Sequence, residues 1–291
     1  MNELAGKAVV ITGAGGGLGA AYARHAASRG AAVLVNDVDP AAAAGTVDAI
    51  VASGGKAADL AGDVSTWSFA QTLVDACIDA FGTITGLVNN AGILRPALLA
   101  QVTESDLRRM LEINVMGTAA CAQAAVRRLR EIGKGGSVIN VASGSQAGDI
   151  ALGGYAASKG GVASLTYSWA MELRGSGIRM NALSPLAETA MAGQNAHLMS
   201  LQAAGREVHY ASLPPADVNA PVVSYLLSDA AAAINGQVVR IAGRQLSYVT
   251  HPLIAFPVIE DDWTMEKVAD AFANALETAQ QKLGLAMSSE Q

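Results

Sequence analysis

The chain has 291 residues, of which 51% are hydrophobic, 15% charged and 4% aromatic. A charged share well below the roughly 25% of an average soluble domain excludes an intrinsically disordered chain and hints at apolar surface hidden in an oligomer. The net charge is −6 and no extended basic run occurs, which argues against a nucleic-acid partner.

Short β-branched runs alternate with longer Ala-rich stretches. The first predicted strand, Ala8–Ile11, ends in Thr12-Gly13-Ala14-Gly15-Gly16-Gly17-Leu18-Gly19, and a helical pattern starts at once with Ala20 and Ala21. Glycines here allow a tight turn and close backbone approach to a pyrophosphate. The helix N-terminus adds free N–H groups and a partial positive charge. The second strand, Ala32–Asn36, ends at Asp37, 18 residues past Gly19. A carboxylate there accepts hydrogen bonds from a ribose diol and repels a 2′-phosphate. No Lys or Arg lies between Thr12 and Tyr22 to receive such a phosphate, so the loop favours NAD over NADP.

Further strands are predicted at Ala57–Gly62, Gly86–Asn89, Ser137–Val141, Arg179–Ser184 and Gln237–Ile241. The alternation predicts an α/β fold, a doubly wound parallel sheet of about seven strands with helices on both faces. Asn89-Asn90-Ala91-Gly92 closes the fourth strand, and Ser143 follows the fifth. Residues at the carboxyl ends of parallel strands face the ligand crevice. Tyr155 and Lys159 stand four apart in Tyr-Ala-Ala-Ser-Lys, so on a helix they share a face. A tyrosine has an ordinary pKa of about 10, and a nearby cation favours its phenolate, which makes Tyr155 a general acid and base for a hydroxyl or carbonyl. Asn114 falls within a predicted helix, where asparagine is mildly unfavourable.

The last stretch differs. Gln245–Glu260 holds Pro252 and Pro257 and reads as an extended crossing; Thr264 then caps a helix with Val268, Phe272, Leu276, Ala279 and Leu283 as an apolar stripe. Such a helix packs either on its own domain or on a partner subunit. The chain is therefore divided into a catalytic domain over 1–245 and an extension with an amphipathic helix over 246–291. Cys77 and Cys121 are too few for a disulfide framework and read as reduced thiols. Four scattered histidines give no metal-ligand spacing. No run of about 18 apolar residues occurs, and Ala8–Thr12 is too short for a signal-peptide core. A cytoplasmic protein with no metal and no membrane partner is expected.

Taken together, Thr12-Gly13-(x)3-Gly17-x-Gly19, Asp63-Val64, Asn90-Ala91-Gly92, Asn114, Ser143, Tyr155-(x)3-Lys159 and Arg179–Pro185 resemble the short-chain dehydrogenase/reductase family over residues 5–245. The resemblance implies a Rossmann-type fold and a homotetramer. It implies that Tyr155 donates and accepts the proton. Lys159 would bond the nicotinamide ribose and lower the tyrosine pKa, Ser143 hold the substrate oxygen, and Asn114 anchor a relay water. Cofactor contacts would come from Gly13, Gly16, Gly17, Leu18, Gly19, Asp37, Asp63, Val64, Asn90, Ala91, Gly92, Tyr155, Lys159, Pro185 and Thr189, with Asp63 and Val64 at the adenine. Two departures stand out: Pro185-Leu186 replaces the family's Pro-Gly, and Gly243-Arg244 replaces its Gly-Gly.

Asn36-Asp37, Gly92-Ile93-Leu94-Arg95 and a shortened Pro185–Met191 stretch look like the branch of hydroxyacyl-CoA and hydroxysteroid dehydrogenases. The stretch from Leu186 to Leu213 is rich in Met and Leu, with Arg206 its only Arg or Lys. That suits a hydrophobic substrate better than the phosphates of CoA. The expected activity is NAD-dependent interconversion of a hydrophobic secondary alcohol and a ketone. The alternatives are a 3-hydroxyacyl-CoA dehydrogenase and, in another class, a non-catalytic NAD-binding regulator on the same fold.

Overall fold

The computed structural model describes residues 2–188, 213–281 and 283–285. Its architecture follows from strands that are apolar on both sides. All four residues of β1 (Ala8–Ile11) are buried. Val9 and Ile11 enter one core layer, Ala8 and Val10 the other, as the two-residue period of a strand requires. Such strands suit a parallel sheet covered by helices on both faces.

The other parallel strands are β2 (Ala32–Val35), β3 (Lys56–Asp59), β4 (Gly86–Asn89), β5 (Gly136–Val141), β6 (Ile178–Leu186) and β7 (Val238–Ala242). They lie in the order β3-β2-β1-β4-β5-β6-β7, each parallel to its neighbours. This is the expected doubly wound α/β sheet. One face carries α1 (Gly17–Ser28), α2 (Pro40–Ala52) and α7 (Ala220–Leu227), through Tyr22, Ile50, Val223 and Leu226. The other carries α3 (Phe69–Phe81) and α5 (Thr118–Ile132), through Leu73, Cys77, Cys121 and Leu129. On that side α6 (Gly153–Glu172) also covers Ala182 and Val238 with Ala163.

An eighth strand, β8 (Gln245–Val249), pairs antiparallel with β7. The sequence reading took this stretch for part of an extended crossing. Here the departure at Gly243-Arg244 finds its place, because the two residues link Ala242 to Gln245 as a hairpin turn. Gly243 sits at φ 59°, the backbone required at the first position of a II′ turn, so the position that matters keeps its glycine.

Two compact units result, residues 1–249 and 250–291. In the second, Thr264 caps α8 (Met265–Ala271), its side chain accepting from the Lys267 N–H. The helix then loosens into a π turn at Phe272–Leu276 and a 3₁₀ turn at Glu277–Ala279. Each change of winding rotates the following side chains. The stripe expected from Val268 to Leu283 is therefore not one face of a regular α-helix.

Tyr22 is fully buried in α1, and its hydroxyl has no hydrogen-bond partner among the described residues. A buried, unpaired hydroxyl costs about 1–3 kcal/mol of desolvation. Tyr22→Phe is therefore expected to raise the urea midpoint by the equivalent of about 1 kcal/mol and leave enzymatic rates unchanged.

Candidate active site

The glycine loop is held open from below. The Thr12 hydroxyl accepts the backbone N–H groups of Asn90 and Ala91, both at 3.1 Å. Asn90 returns both amide hydrogens to the loop, to the carbonyls of Thr12 (3.0 Å) and Gly13 (2.8 Å). Asn90 thus braces the loop after β1 against the loop after β4. Ala91 packs under Gly13, where a Cβ would lie 2.7 Å from its Cα; Gly13 has φ 60°. Gly19 has no room either: a Cβ would meet the Gly13 carbonyl at 2.2 Å and the Asn90 amide at 2.6 Å. Gly16 is different, with no atom within 4 Å of its Cβ position.

Gly16 is the N-cap of α1, which has no side-chain cap and no acidic residue in its first turn. The free N–H groups of that turn, followed by Gly17 and Leu18, are available to an anion. Asp37 reaches back over the loop, and its Oδ2 accepts the Gly15 N–H at 2.9 Å. Its Oδ1 accepts the Asp39 N–H at 3.2 Å, and the lone pairs left over can accept from a ribose diol. A Cβ on Gly15 would stand 2.8 Å from that carboxylate oxygen. These residues fit a dinucleotide: an anion cradle followed by a diol acceptor.

At the next sheet edge, Ser143 ends the turn from β5 and caps the 3₁₀ turn Gly144–Ala147, its Oγ accepting the Ser145 N–H. The same hydroxyl acts on Tyr155 and favours its phenolate. Tyr155 lies in the first turn of α6, and Lys159 one turn later, buried to 4% exposure. The Lys159 ammonium donates to the Val141 carbonyl at 2.6 Å and stands 5.7 Å from the Tyr155 ring centre. Gly92 borders the same space, its Cβ position 3.5 Å from Lys159 Nζ.

Burial decides the protonation states. It lowers Lys159 to about 8, from an ordinary value of 10.5. It raises Tyr155 above its ordinary value, and the Ser143 hydroxyl offsets only part of that. The sequence expectation is that Lys159 lowers the tyrosine pKa; in the protein by itself, burial sets the direction of both shifts. The lysine is as desolvated as the phenol and gives one hydrogen to a carbonyl, so its charge is too costly to outweigh burial.

Asn114 sits in a π turn, Glu112–Gly117, between α4 (Glu104–Leu111) and α5. Its side chain pairs with the Ile93 backbone twice, accepting from N at 2.8 Å and donating to O at 2.9 Å. The second amide hydrogen goes to Ser158 Oγ at 2.9 Å, and Ser158 donates in turn to the Tyr155 carbonyl. The Asn114 side chain has no donor left for a relay water, and its backbone carbonyl accepts the Thr118 hydroxyl at 2.8 Å.

Asp63 and Val64 follow β3; Pro185 lies near the end of β6. Thr189 lies outside the described residues. Sequence reasoning missed Ser158, which is fully buried inside the Tyr-Lys motif, and the bracing roles of Thr12 and Asn90. Only their partners, far away in sequence, reveal them.

Gly19→Ala is expected to cost about 1–3 kcal/mol, because its contacts are backbone that cannot give way. Gly16→Ala should stay within about 0.5 kcal/mol of the parent. Urea unfolding of both variants checks the contrast.

The family model for short chain dehydrogenases matches residues 7–198. Cis-4-hydroxycyclohexanecarboxylate dehydrogenase of Sinomonas cyclohexanicum is 36% identical, over 81% of this chain and 95% of its own. A hydroxyacyl-CoA dehydrogenase of Mycobacterium tuberculosis is 34% identical, over 86% of this chain and 81% of its own. The crystal structure of a short chain dehydrogenase from Mycobacterium avium superimposes with a TM-score of 0.83 at 29% identity, covering 96% of this chain and 97% of that one. By its family model, its relatives and its fold, this chain is an oxidoreductase and belongs to the short-chain dehydrogenase/reductase family.

Proposed function

We propose that the protein is an NAD-dependent oxidoreductase that interconverts a hydrophobic secondary alcohol and its ketone. The observation that carries this reading is the placement of Tyr155 and the buried Lys159 one helical turn apart on α6, with the ammonium 5.7 Å from the tyrosine ring and the Ser143 hydroxyl acting on the phenol. When bound, the nicotinamide accepts or donates the hydride. Gly16, Gly17, Leu18 and the first turn of α1 would hold its pyrophosphate, and Asp37 the adenosine ribose. Asp63 and Val64 would meet the adenine, and Lys159 and Tyr155 the nicotinamide ribose. Gly92 and Pro185 would flank the ring. Ser143 orients the substrate oxygen, and Tyr155 takes its proton in oxidation and returns it in reduction.

The preference for NAD rests on the Asp37 carboxylate, which would repel a 2′-phosphate, and on the lack of a cation in the loop. The two buried, free cysteines suit a reducing cytoplasm. The low charge of the chain suits a homotetramer; sedimentation at micromolar concentration should show four copies rather than one.

A 3-hydroxyacyl-CoA is the second substrate reading, favoured by the name of the Mycobacterium tuberculosis relative. Turnover of NAD⁺ with a medium-chain 3-hydroxyacyl-CoA, set against an uncharged cyclic alcohol, separates the two. Tyr155→Phe should abolish turnover of either while leaving NADH affinity within about 2-fold, a change worth only a fraction of 1.4 kcal/mol. Retained turnover would remove Tyr155 from the proton transfer. Turnover absent from the parent with every alcohol tried, but NADH bound, would favour the regulator. Gly16→Ala should weaken NADH binding about 10-fold or more, since its Cβ enters the anion cradle.

The pH profile carries a sign. Oxidation needs phenolate, and burial places the Tyr155 pKa above the ordinary value. Its kcat/KM for the alcohol should therefore rise with pH into the alkaline range, while ketone reduction, which needs the phenol, falls. Lys159→Met should move that limb to still higher pH.

A further inference from the structure

Arg109 lies on α4, outside every motif discussed so far, and it does not face bulk solvent alone. Its Nη2 donates to Asp63 Oδ2 at 2.7 Å, and its Nη1 to Ser65 Oγ at 2.9 Å. Ser65 closes the ring by donating to Asp63 Oδ1 from both its hydroxyl (2.7 Å) and its backbone N–H (2.9 Å). Glu112 stands 3.6 Å from the same guanidinium.

A carboxylate offers about four lone-pair sites. On Asp63 two are taken on Oδ1 and one on Oδ2, which leaves a single acceptor site in a fixed direction. Burial pushes the Asp63 carboxyl up, but the hydrogen bonds from Arg109 and Ser65 outweigh it and hold it below the ordinary value. The site is therefore an acceptor at every pH at which the enzyme would work.

The loop carrying Asp63 is tied to the ribose carboxylate: the Gly62 N–H donates to the Asp37 carbonyl at 2.9 Å, and Asn36 donates to the carbonyls of Leu60 and Gly62. Val64, next to Asp63, is buried against Gly117, whose Cβ position lies 2.9 Å from Val64 Cγ2. An apolar wall and one fixed acceptor thus lie together on the β3 side of Asp37.

Resting on the NAD reading above, we infer that Arg109 is a positioning residue that makes the base end of the site selective for a 6-amino purine. It acts through Asp63, whose one open lone pair it aims. A 6-amino group donates to that lone pair; a 6-oxo group presents an acceptor and is rejected. Without Arg109, Ser65 still holds Oδ1, but Oδ2 loses its only hydrogen-bond donor among the described residues and the open lone pair loses its fixed direction.

The test is calorimetric titration of the full chain with NADH and with its reduced hypoxanthine analogue. Arg109→Leu and Arg109→Lys are compared with Arg108→Leu, a control with the same charge change; among the described residues Arg108 pairs with the exposed Glu104 and not with Asp63. The parent should bind NADH about 10-fold more tightly than the analogue, the size of one charge-assisted hydrogen bond. Arg109→Leu should weaken NADH 5- to 10-fold, roughly that same increment, with the analogue unchanged, so that the ratio approaches about 1. Arg109→Lys should restore part of it, and Arg108→Leu should match the parent. At saturating NAD⁺, kcat should hold. A folded Arg109→Leu with the parental ratio, or with both nucleotides weakened equally, overturns the inference while leaving the NAD reading intact. A parent that binds neither nucleotide overturns both.

Discussion

Between β2-β1 and β4-β5 the order of the sheet reverses direction: from β1 the chain first builds outward through β2 and β3, then returns to place β4 on the other side. The loops leaving β1 and β4 must therefore diverge, and a crevice opens above their carboxyl ends. The loops leaving the strands carry much of the candidate site. Thr12–Gly19 comes from β1, Asp37 from β2, Asp63 from β3, Asn90–Gly92 from β4 and Ser143 from β5. The bond network between Thr12 and Asn90 spans the divergence and keeps the two loops a fixed distance apart.

Beneath the crevice the polar groups are paired with each other. Asn89 donates to Asn140 at 2.9 Å, Asn140 donates to Thr166 at 2.9 Å, and Asn89 also reaches the Thr118 carbonyl. Asn89, Asn140 and Thr166 are almost completely buried. Unpaired, each would cost about 1–3 kcal/mol. Paired, they register β4, β5, α5 and α6 against one another, and so fix where α6 presents Tyr155 and Lys159. The π turn fits this scheme. Its change of winding places Asn114 against Ile93 and Ser158, while Thr118 caps its carbonyl.

At Tyr155 and Lys159 burial works against charge. It disfavours both the phenolate of Tyr155 and the ammonium of Lys159. The protein by itself favours the neutral phenol at Tyr155, while Lys159, lowered to about 8, keeps its charge at neutral pH. Its contribution is placement: a tyrosine beside a serine hydroxyl, with a cation held by a strand carbonyl one turn away.

The local parts of this protein were legible in the sequence because they are contiguous or periodic. The alternation of β-branched runs and Ala-rich stretches yields a parallel sheet. The glycine loop, Asp37 and the Tyr155–Lys159 spacing each sit on one element, so composition and spacing reveal them. What lies between elements was not legible. Asn114 meets Ser158 across 44 residues, and Arg109 meets Asp63 across 46; no local periodicity links such pairs. The eighth strand needed β7 as a template, since Gln245–Val249 has no buried-strand run of its own. The direction of the Tyr155 pKa was likewise a tertiary matter. Sequence proximity supplied the cation, but only the packed structure shows that both partners are dry.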